Sequence, residues 1–126
     1  MILLCDEDVG IKVPKALKLV GIKNVKSMAD SGFGLGKDDV EWLTNVGKRG
    51  WLAFSCNKKM LDVPQERDTI IAEKVGIVFL TSGQEYLQQV LRLLLNKWKW
   101  LEHIDQTTPR PFAYFLYPYG RTRKVL

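Results

Sequence analysis

Short apolar runs recur along the chain, and each of them predicts a strand. Residues 2–5, 51–55 and 77–80 are almost continuously apolar, which is typical of strands buried on both faces of a parallel sheet. Residues 112–117 form a fourth run, and residues 22–25 and 121–126 are predicted as two shorter strands. The last is expected at a sheet edge, because Pro118 and basic residues near the C-terminus suit an unpaired strand.

The first two predicted helices have clear start and stop signals. Residues 13–20 carry Pro14 in the first turn and are followed by Gly21, a residue that commonly ends helices. The second helix is predicted to begin at Asp38, which with Glu41 three residues later fits a capping box.

The two later helices are predicted from similar signals. Asp62 is expected to cap a third helix with Pro64 in its first turn, ending near residue 74. Ser82 and Glu85 are expected to start a longer helix over about residues 83–103. One face of that helix is a stripe of large apolar residues: Leu87, Leu91, Leu94, Trp98 and Leu101. Core burial is the more frequent use of such a stripe, and a homodimer contact is the alternative.

The order of these elements predicts the fold class. Strands alternate with helices from beginning to end, so consecutive strands are expected to run parallel with right-handed crossovers. The sequence therefore predicts an α/β protein, a three-layer α/β/α sandwich with a mostly parallel central sheet. Its 126 residues are expected to form one domain, 1–126.

Composition excludes several classes of protein. Hydrophobic residues make up 46% of the chain, which is too many for a disordered protein, yet no run is long enough to cross a bilayer. The first residues do not resemble a secretion signal. With Cys5 and Cys56 as the two cysteines, we expect no disulfide framework and a cytoplasmic location. The net charge of +5 is compatible with nucleic acid as a partner, but ordinary domains often carry such a charge.

Three consecutive acids follow the first predicted strand. Asp6, Glu7 and Asp8 are expected at the carboxyl edge of the sheet, where open α/β sheets bind their ligands. Adjacent carboxylates repel one another, and either solvent or a bound cation offsets that repulsion. Asp6 is therefore the leading site candidate.

Two further residues are expected to reach the same edge. Asp39 shares a helical face with apolar residues such as Trp42, so it is predicted to point toward the sheet. The alternative is that Asp39 only interacts with the helix dipole. Asn57 follows the third strand and can offer an amide oxygen, although Asn is also a common turn residue. Together, Asp6, Asp39 and Asn57 predict an oxygen-ligand site for Mg²⁺ or Mn²⁺ that hydrolyses a phosphodiester.

Two other chemistries are disfavoured. The glycines in residues 28–37 do not have the spacing of a phosphate-binding loop, and no strand leads directly into them. Cys56 has no histidine near it in sequence, since His103, the single histidine, lies on a distant predicted helix.

Several stretches resemble the PIN-like domains, in particular a compact subgroup related to the toxin ribonucleases of bacterial toxin–antitoxin pairs. The similarity covers nearly the whole chain. It rests on short segments that are weak singly and fairly specific together: Leu3-Leu-Cys-Asp6-Glu7, Asp39-Val-Glu-Trp42-Leu43, Gly50-Trp51-Leu-Ala-Phe-Ser55-Cys-Asn57-Lys58, Pro64-Gln-Glu-Arg67, Thr81-Ser82-Gly83 and Thr108-Pro109-Arg-Pro111-Phe112-Ala113.

The resemblance implies a metal-dependent endoribonuclease. By position, Asp6 and Asp39 match acids that hold the metal, and Glu7 matches an acidic position beside the first. The pattern Thr-Arg-Asp-Lys that the family has after the third strand reads Ser-Cys-Asn-Lys here, so the amide of Asn57 replaces a carboxylate. Losing that charge is expected to weaken a magnesium site, and Asp8 or Asp62 are candidates to compensate.

Three functions remain to be compared. The first is a ribonuclease with RNA as substrate and Mg²⁺ or Mn²⁺ as cofactor, acting as a toxin that an antitoxin protein silences. The second is a PIN-like module that binds RNA or a protein without cleaving. The third, a phosphate-accepting receiver domain, fits least, because its acceptor position would be Asn57, which cannot be phosphorylated.

Overall fold

The structure is a computed structural model that describes residues 1–33, 36, 38–82 and 86–126. Its centre is a six-stranded sheet with the strands β1 (Leu3–Cys5), β2 (Val25–Ser27), β3 (Leu52–Ser55), β4 (Gly76–Leu80), β5 (Phe112–Leu116) and β6 (Thr122–Lys124). Four α-helices connect them: α1 (Lys12–Leu19), α2 (Asp39–Arg49), α3 (Pro64–Ala72) and α4 (Leu87–Thr107). Short 3-10 turns cover Glu7–Val9 and Lys58–Asp62.

The sheet is mostly parallel, as predicted. Its order is β2-β1-β3-β4-β5-β6, and every neighbouring pair is parallel except β5 and β6. Because the chain moves from β1 outward to β2 and then back to β3 on the other side, the direction of winding reverses next to β1. Such a reversal leaves a crevice beyond the carboxyl ends of the strands.

Two apolar layers cover the two faces of the sheet. On one face, Val13 and Leu17 of α1 and Leu94 and Leu101 of α4 pack against side chains of β1, β3, β4 and β5. On the other face, Trp42, Leu43 and Val46 of α2 and Ile70 of α3 do the same. Three layers are therefore present, and the predicted α/β/α sandwich is confirmed.

Helices α2 and α3 approach closely at Gly47. A Cβ atom added to this glycine would lie 2.4 Å from the backbone oxygen of Glu73, which no packed structure tolerates. Glycine at this position therefore lets the two helices come together over one face of the sheet. Both helices begin at the carboxyl edge of the sheet, so their first turns face the end of β3.

Two element boundaries differ from the sequence prediction. The strand predicted at residues 22–25 forms at Val25–Ser27 instead, because Ile22 completes the end of α1 by donating its N–H to Leu17 at 2.9 Å. Asp62 does not cap α3, since it is the last residue of a 3-10 turn. The N-cap is Val63, which is extended, as expected for a residue before proline.

The longest helix also differs in its buried face. It runs from Leu87 to Thr107 with Tyr86 as its N-cap, so it begins later than predicted and Ser82 does not cap it; Gly83 and Glu85 lie outside the described residues. Of the predicted stripe, Leu94 and Leu101 are buried, Leu91 and Trp98 pack partly buried against the core, and Leu87 is exposed. The buried residues of α4 are Val90, Leu93, Leu94, Leu101 and Ile104. Among the helices of the described ranges, none has both the length and the apolarity to cross a membrane.

Candidate active site at the carboxyl edge of the sheet

Asp6 is held in a fixed position directly after β1. Its backbone N–H donates to Phe54 of β3 at 2.9 Å, which extends the pairing of the two strands by one bond. One carboxylate oxygen, Oδ1, accepts from the N–H of Glu7 at 2.7 Å and caps the following 3-10 turn. The other, Oδ2, accepts from the hydroxyl of Ser55 at 3.0 Å. With 8% of its surface exposed, Asp6 is a buried carboxylate, as a site residue at a strand end would be.

Asp8 shares the hydroxyl of Ser55 with Asp6. Its Oδ2 lies 3.2 Å from Ser55 Oγ, and its Oδ1 accepts from the N–H of Cys56 at 3.1 Å. A serine hydroxyl has one hydrogen, so it can donate to only one of the two carboxylates at a time. The Ser55 oxygen itself accepts from the N–H of Asn57 at 3.0 Å. Among the described residues, two carboxylates therefore share the single hydroxyl hydrogen of Ser55.

Asp39 comes to this edge from the first turn of α2. Its Oδ1 accepts from the indole Nε1 of Trp42 at 2.8 Å, and Trp42 is itself buried in the core. The carboxylate is therefore oriented by the same residue that anchors the helix. Asp38, one residue earlier, is the N-cap and accepts from the N–H of Glu41 at 2.8 Å, as predicted.

Glu66, in the first turn of α3, adds a carboxylate that the sequence did not reveal as a site residue. It lies close enough to Asp39 for a hydrogen bond whenever a proton is present on one of the two carboxyl groups. Its Oε2 atom is buried and has no hydrogen-bond partner among the described residues. The available signal was an acid in the first turn of a helix that follows β3.

The electrostatics show that these carboxylates act on one another. Burial raises the pKa of Asp6 to about 7, and the charges of Asp8 and Asp39 add to the effect, while hydrogen bonds from Ser55 and Glu7 oppose it. Burial also raises the pKa of Asp8, with Asp39 again contributing. Burial, together with neighbouring Asp39, raises the pKa of Glu66 to about 7. Asp6, Asp8, Asp39 and Glu66 thus form one carboxylate cluster.

The other two predicted site residues have different surroundings. Glu7 is exposed, and its Oε1 accepts from the N–H of Gly36 at 2.7 Å, so it connects the first strand end to the glycine-containing loop. Asn57 starts the 3-10 turn after β3 without a side-chain capping bond. Catalytic roles for Glu7 and Asn57 stay predictions.

The cluster is not a ready-made ligand shell. Within the described ranges, no group of three or more His, Cys, Asp or Glu side chains is arranged so that it could hold a metal ion. Asp6, Asp39 and Asn57 as metal ligands therefore stay a prediction. The charge of Asp39 contributes to raising the pKa of Asp6, so the two carboxylates interact electrostatically.

Comparison with known proteins decides the family. A family model described as "PIN like domain" matches residues 1–82, which is more than half of the chain and contains all four carboxylates. The chain belongs to the PIN-like domain family. No curated protein and no solved structure matches the sequence significantly. The observed sheet and helices agree with this assignment, and a nuclease-type fold follows from it.

The donor set of this PIN-like domain fits a hard divalent ion. Ser55 offers one hydrogen to two carboxylates, and the buried Oε2 of Glu66 has no hydrogen-bond partner among the described residues, so a cation or additional protons would stabilise the cluster. All of these candidate ligands are oxygens, which Mg²⁺ and Mn²⁺ prefer. Asp8 accepts from the backbone N–H of Cys56, the residue before Asn57; compensation by Asp8 for the missing carboxylate stays a prediction.

The cysteines of the PIN-like domain do not suggest a nucleophile. Both are free thiols. Burial and the carboxylates of Asp8 and Asp6 raise the pKa of Cys56 to about 12, so its thiol stays protonated near neutrality. Because the thiolate is the reactive form, covalent catalysis by Cys56 is disfavoured.

Proposed function

We propose that this PIN-like domain is a metal-dependent endoribonuclease that hydrolyses RNA phosphodiester bonds. The observation that carries the proposal is the shared hydroxyl of Ser55: two carboxylates from one strand end compete for a single hydrogen, beside two more carboxylates. Such a concentration of negative charge is costly in a folded protein unless it serves to bind a cation.

Each residue of the cluster has a distinct part in this proposal. Asp6, Asp8 and Asp39 would hold Mg²⁺ or Mn²⁺, with the amide oxygen of Asn57 as a further ligand. When bound, such an ion would supply Lewis-acid chemistry at the phosphodiester. Ser55 fixes the orientation of the Asp6 carboxylate.

Glu66 and Trp42 both interact with Asp39. Trp42 orients the carboxylate through its indole N–H, and Glu66 adds negative charge next to it. The positioning of Asp39 thus depends on the packing of α2 against α3, which Gly47 makes possible.

The experiment is cleavage of a panel of RNAs by the purified protein with Mg²⁺ or Mn²⁺, compared with Asp6→Asn. We expect cleavage by the unmodified protein and its loss, by at least about 100-fold, in the variant, since the Asp6 carboxylate is replaced by a neutral amide. Asp68→Asn is the matched control, because Asp68 is an exposed acid of α3 outside the cluster. RNA that stays intact with both metals would refute the proposal.

A second function is favoured by one specific observation, the amide at position 57. If the site no longer binds a metal, the domain is a module that binds RNA or a protein without cleavage. Calorimetric titration with Mn²⁺ separates the two functions. The module predicts no metal binding together with RNA affinity that decreases with salt.

The biological setting we propose is that of a cytoplasmic toxin paired with an antitoxin protein. The fold and the family are compatible with this setting, and RNA is the substrate generally implied by the family. Expression of the protein should arrest growth, whereas Asp6→Asn should not. A neighbouring gene whose product binds the protein and restores growth would be the antitoxin. Size-exclusion chromatography tests the proposed homodimer.

A further inference from the structure

A second feature lies on the same edge of the sheet, two strands away from β3. A cavity of about 570 Å³, open to solvent, lies between α4 and the turn that joins β5 to β6. Its apolar wall includes Leu80 at the end of β4 and Leu93 of α4, and its rim includes Tyr119 of the turn. The carboxylate cluster does not contribute to it.

The charge of this cavity is opposite to that of the carboxylate cluster. Arg92 and Lys97 of α4 line it together with the amides of Gln89 and Asn96, and none of the described lining residues is acidic. Each of these four side chains can donate hydrogen bonds to an anion. A cavity with basic groups and an apolar wall concentrates positive potential, because the wall offers little screening.

Lys97 is held against the turn. A Cβ atom on Gly120 would lie 3.3 Å from Lys97 Cε and 3.8 Å from its Nζ, so the lysine extends along the backbone of the turn. Gly120 has a φ of +93°, which other residues rarely adopt. Tyr119, the preceding residue, is fully exposed. An exposed aromatic ring beside a basic cavity is the combination by which proteins bind single-stranded nucleic acid.

The register of the sheet relates the cavity to the cluster. Ser55 of β3 pairs with Phe79 of β4, and Leu80, the next residue, lines the cavity. Leu80 faces the side of the sheet covered by α4, whereas Asp39 and Glu66 belong to helices on the other side. With strands about 4.8 Å apart, the span across the edge from β1 to β5 is roughly 15 Å. Several linked nucleotides can cover such a distance, and a mononucleotide cannot.

We propose that this cavity binds the backbone of single-stranded RNA, with Arg92 and Lys97 contacting phosphates and Tyr119 stacking on a base. The choice of RNA rests on the proposed function, because the strand held in the cavity would continue across the sheet edge into the carboxylate cluster. An RNA strand must then be long enough to reach from the cavity to the carboxylate cluster if it is to bind tightly.

The test measures binding without cleavage. Fluorescence anisotropy with a labelled RNA of about twelve nucleotides, in EDTA, compares the unmodified protein with the double variant Arg92→Glu, Lys97→Glu. We expect at least about a tenfold loss of affinity at low salt. The slope of log K against log salt should fall by about 1.4, because each lost phosphate contact on a single strand removes about 0.7.

Two further variants test whether a loss of affinity comes from the cavity itself and not from a general change of charge or from misfolding. Lys99→Glu makes the same charge change on an exposed position of α4 outside the cavity, and we expect it to bind RNA nearly as the unmodified protein does. Tyr119→Ala changes a fully exposed side chain, so folding should be preserved, and we expect roughly a fivefold or greater loss of affinity.

The outcomes separate this inference from the nuclease proposal. Equal RNA binding by the double variant and Lys99→Glu would overturn the cavity assignment even if the protein cleaves RNA. Absence of RNA binding by the unmodified protein would also overturn it, as would competition by a mononucleotide as strong as that by the RNA. The expected losses in a protein that cleaves nothing would support the cavity and refute the nuclease.

Discussion

The hydroxyl of Ser55 lies 3.0 Å from a carboxylate oxygen of Asp6, although 49 positions separate the two residues in sequence. This contact joins the ends of β1 and β3 through side chains, one residue beyond the last backbone pairing. Because Ser55 is completely buried, the bond is shielded from water. It is therefore the contact that most directly ties the fold to the carboxylate cluster.

Ser55→Ala should destabilise the protein by about 2 kcal/mol, because the buried carboxylate of Asp6 loses the donor that it shares with Asp8. Urea unfolding at neutral pH measures the change. A double-mutant cycle with Asp6→Asn isolates the interaction, and we expect a coupling energy of about 1 kcal/mol or more. A coupling near zero would mean that Ser55 stabilises β3 independently of Asp6.

The stability of the metal-free protein should decrease as the pH rises from about 5 to 8. The folded-state pKa values of Asp6 and Glu66 are raised to about 7, above the ordinary values of 3.8 and 4.5, so the folded state binds more protons in this interval. The stabilisation is complete below the ordinary values and is lost as the pH rises through 7. The slope from Asp6 is at most about 1.4 kcal/mol per pH unit. Glu66 contributes less, because it is partly exposed and solvent screens its charge.

Thermal unfolding in EDTA at a series of pH values tests this dependence. Asp6→Asn should reduce the slope, whereas Asp68→Asn, at an exposed position, should keep it. Because protons and a cation compete for the same oxygens, Mn²⁺ should raise the Tm more at pH 8 than at pH 5. A stability that rises with pH over this interval would contradict the assigned protonation of the cluster.

Trp42→Phe should weaken Mn²⁺ binding by removing a hydrogen bond to Asp39, while most of the core packing is kept. The phenyl ring fills much of the buried volume of the indole but cannot donate to Asp39 at 2.8 Å. We expect a loss of stability of about 1–3 kcal/mol and a weaker affinity for Mn²⁺, because Asp39 is no longer oriented.

Trp100→Phe is the matched control for this substitution. Trp100 is partly buried against Tyr114 on the opposite face of the sheet, and its ring contact is edge-on at 5.2 Å. It should lower stability without changing Mn²⁺ affinity. If both variants bind Mn²⁺ equally, Trp42 has a role in packing only.

Asn57→Asp should strengthen metal binding by severalfold, because it replaces an amide with a carboxylate beside Ser55. Calorimetry with Mg²⁺ and Mn²⁺ measures the effect. Asn24→Asp makes the same change at an exposed position before β2, at the opposite edge of the sheet, and should leave affinity unaltered. An affinity unchanged by Asn57→Asp would show that residue 57 does not contribute to the metal site.

The sequence predicted a helix boundary correctly where all of the residues that form the cap lie within one helix. Asp38 was predicted as the cap of α2 and accepts the expected bond, since an N-cap involves only residues within one turn. By contrast, the predicted cap Asp62 was wrong, because a 3-10 turn includes it and the extended Val63 before Pro64 takes its place. The sequence pattern did not show that a 3-10 turn would include Asp62 and so prevent it from capping α3.

The buried face of α4, the longest helix, was also only partly predictable from the sequence. Its apolar residues are numerous enough to define a broad stripe, and the packing buries Leu94 and Ile104 but leaves Leu87 exposed. Which face of such a helix is buried depends on its neighbours, and periodicity alone does not contain that information.

The sequence by itself determined the alternation of strands and helices, hence the parallel sheet, and placed Asp6 at a strand end and Asp39 on the inward face of a helix. These follow from local periodicity and from the chain direction. Only the tertiary structure decided that Asp8 shares Ser55 with Asp6, that Glu66 lies against Asp39, and that a basic cavity opens two strands away. The reason is physical: hydrogen bonds and charge interactions depend on distances of a few ångströms between residues far apart in sequence, and those distances exist only after the helices have packed.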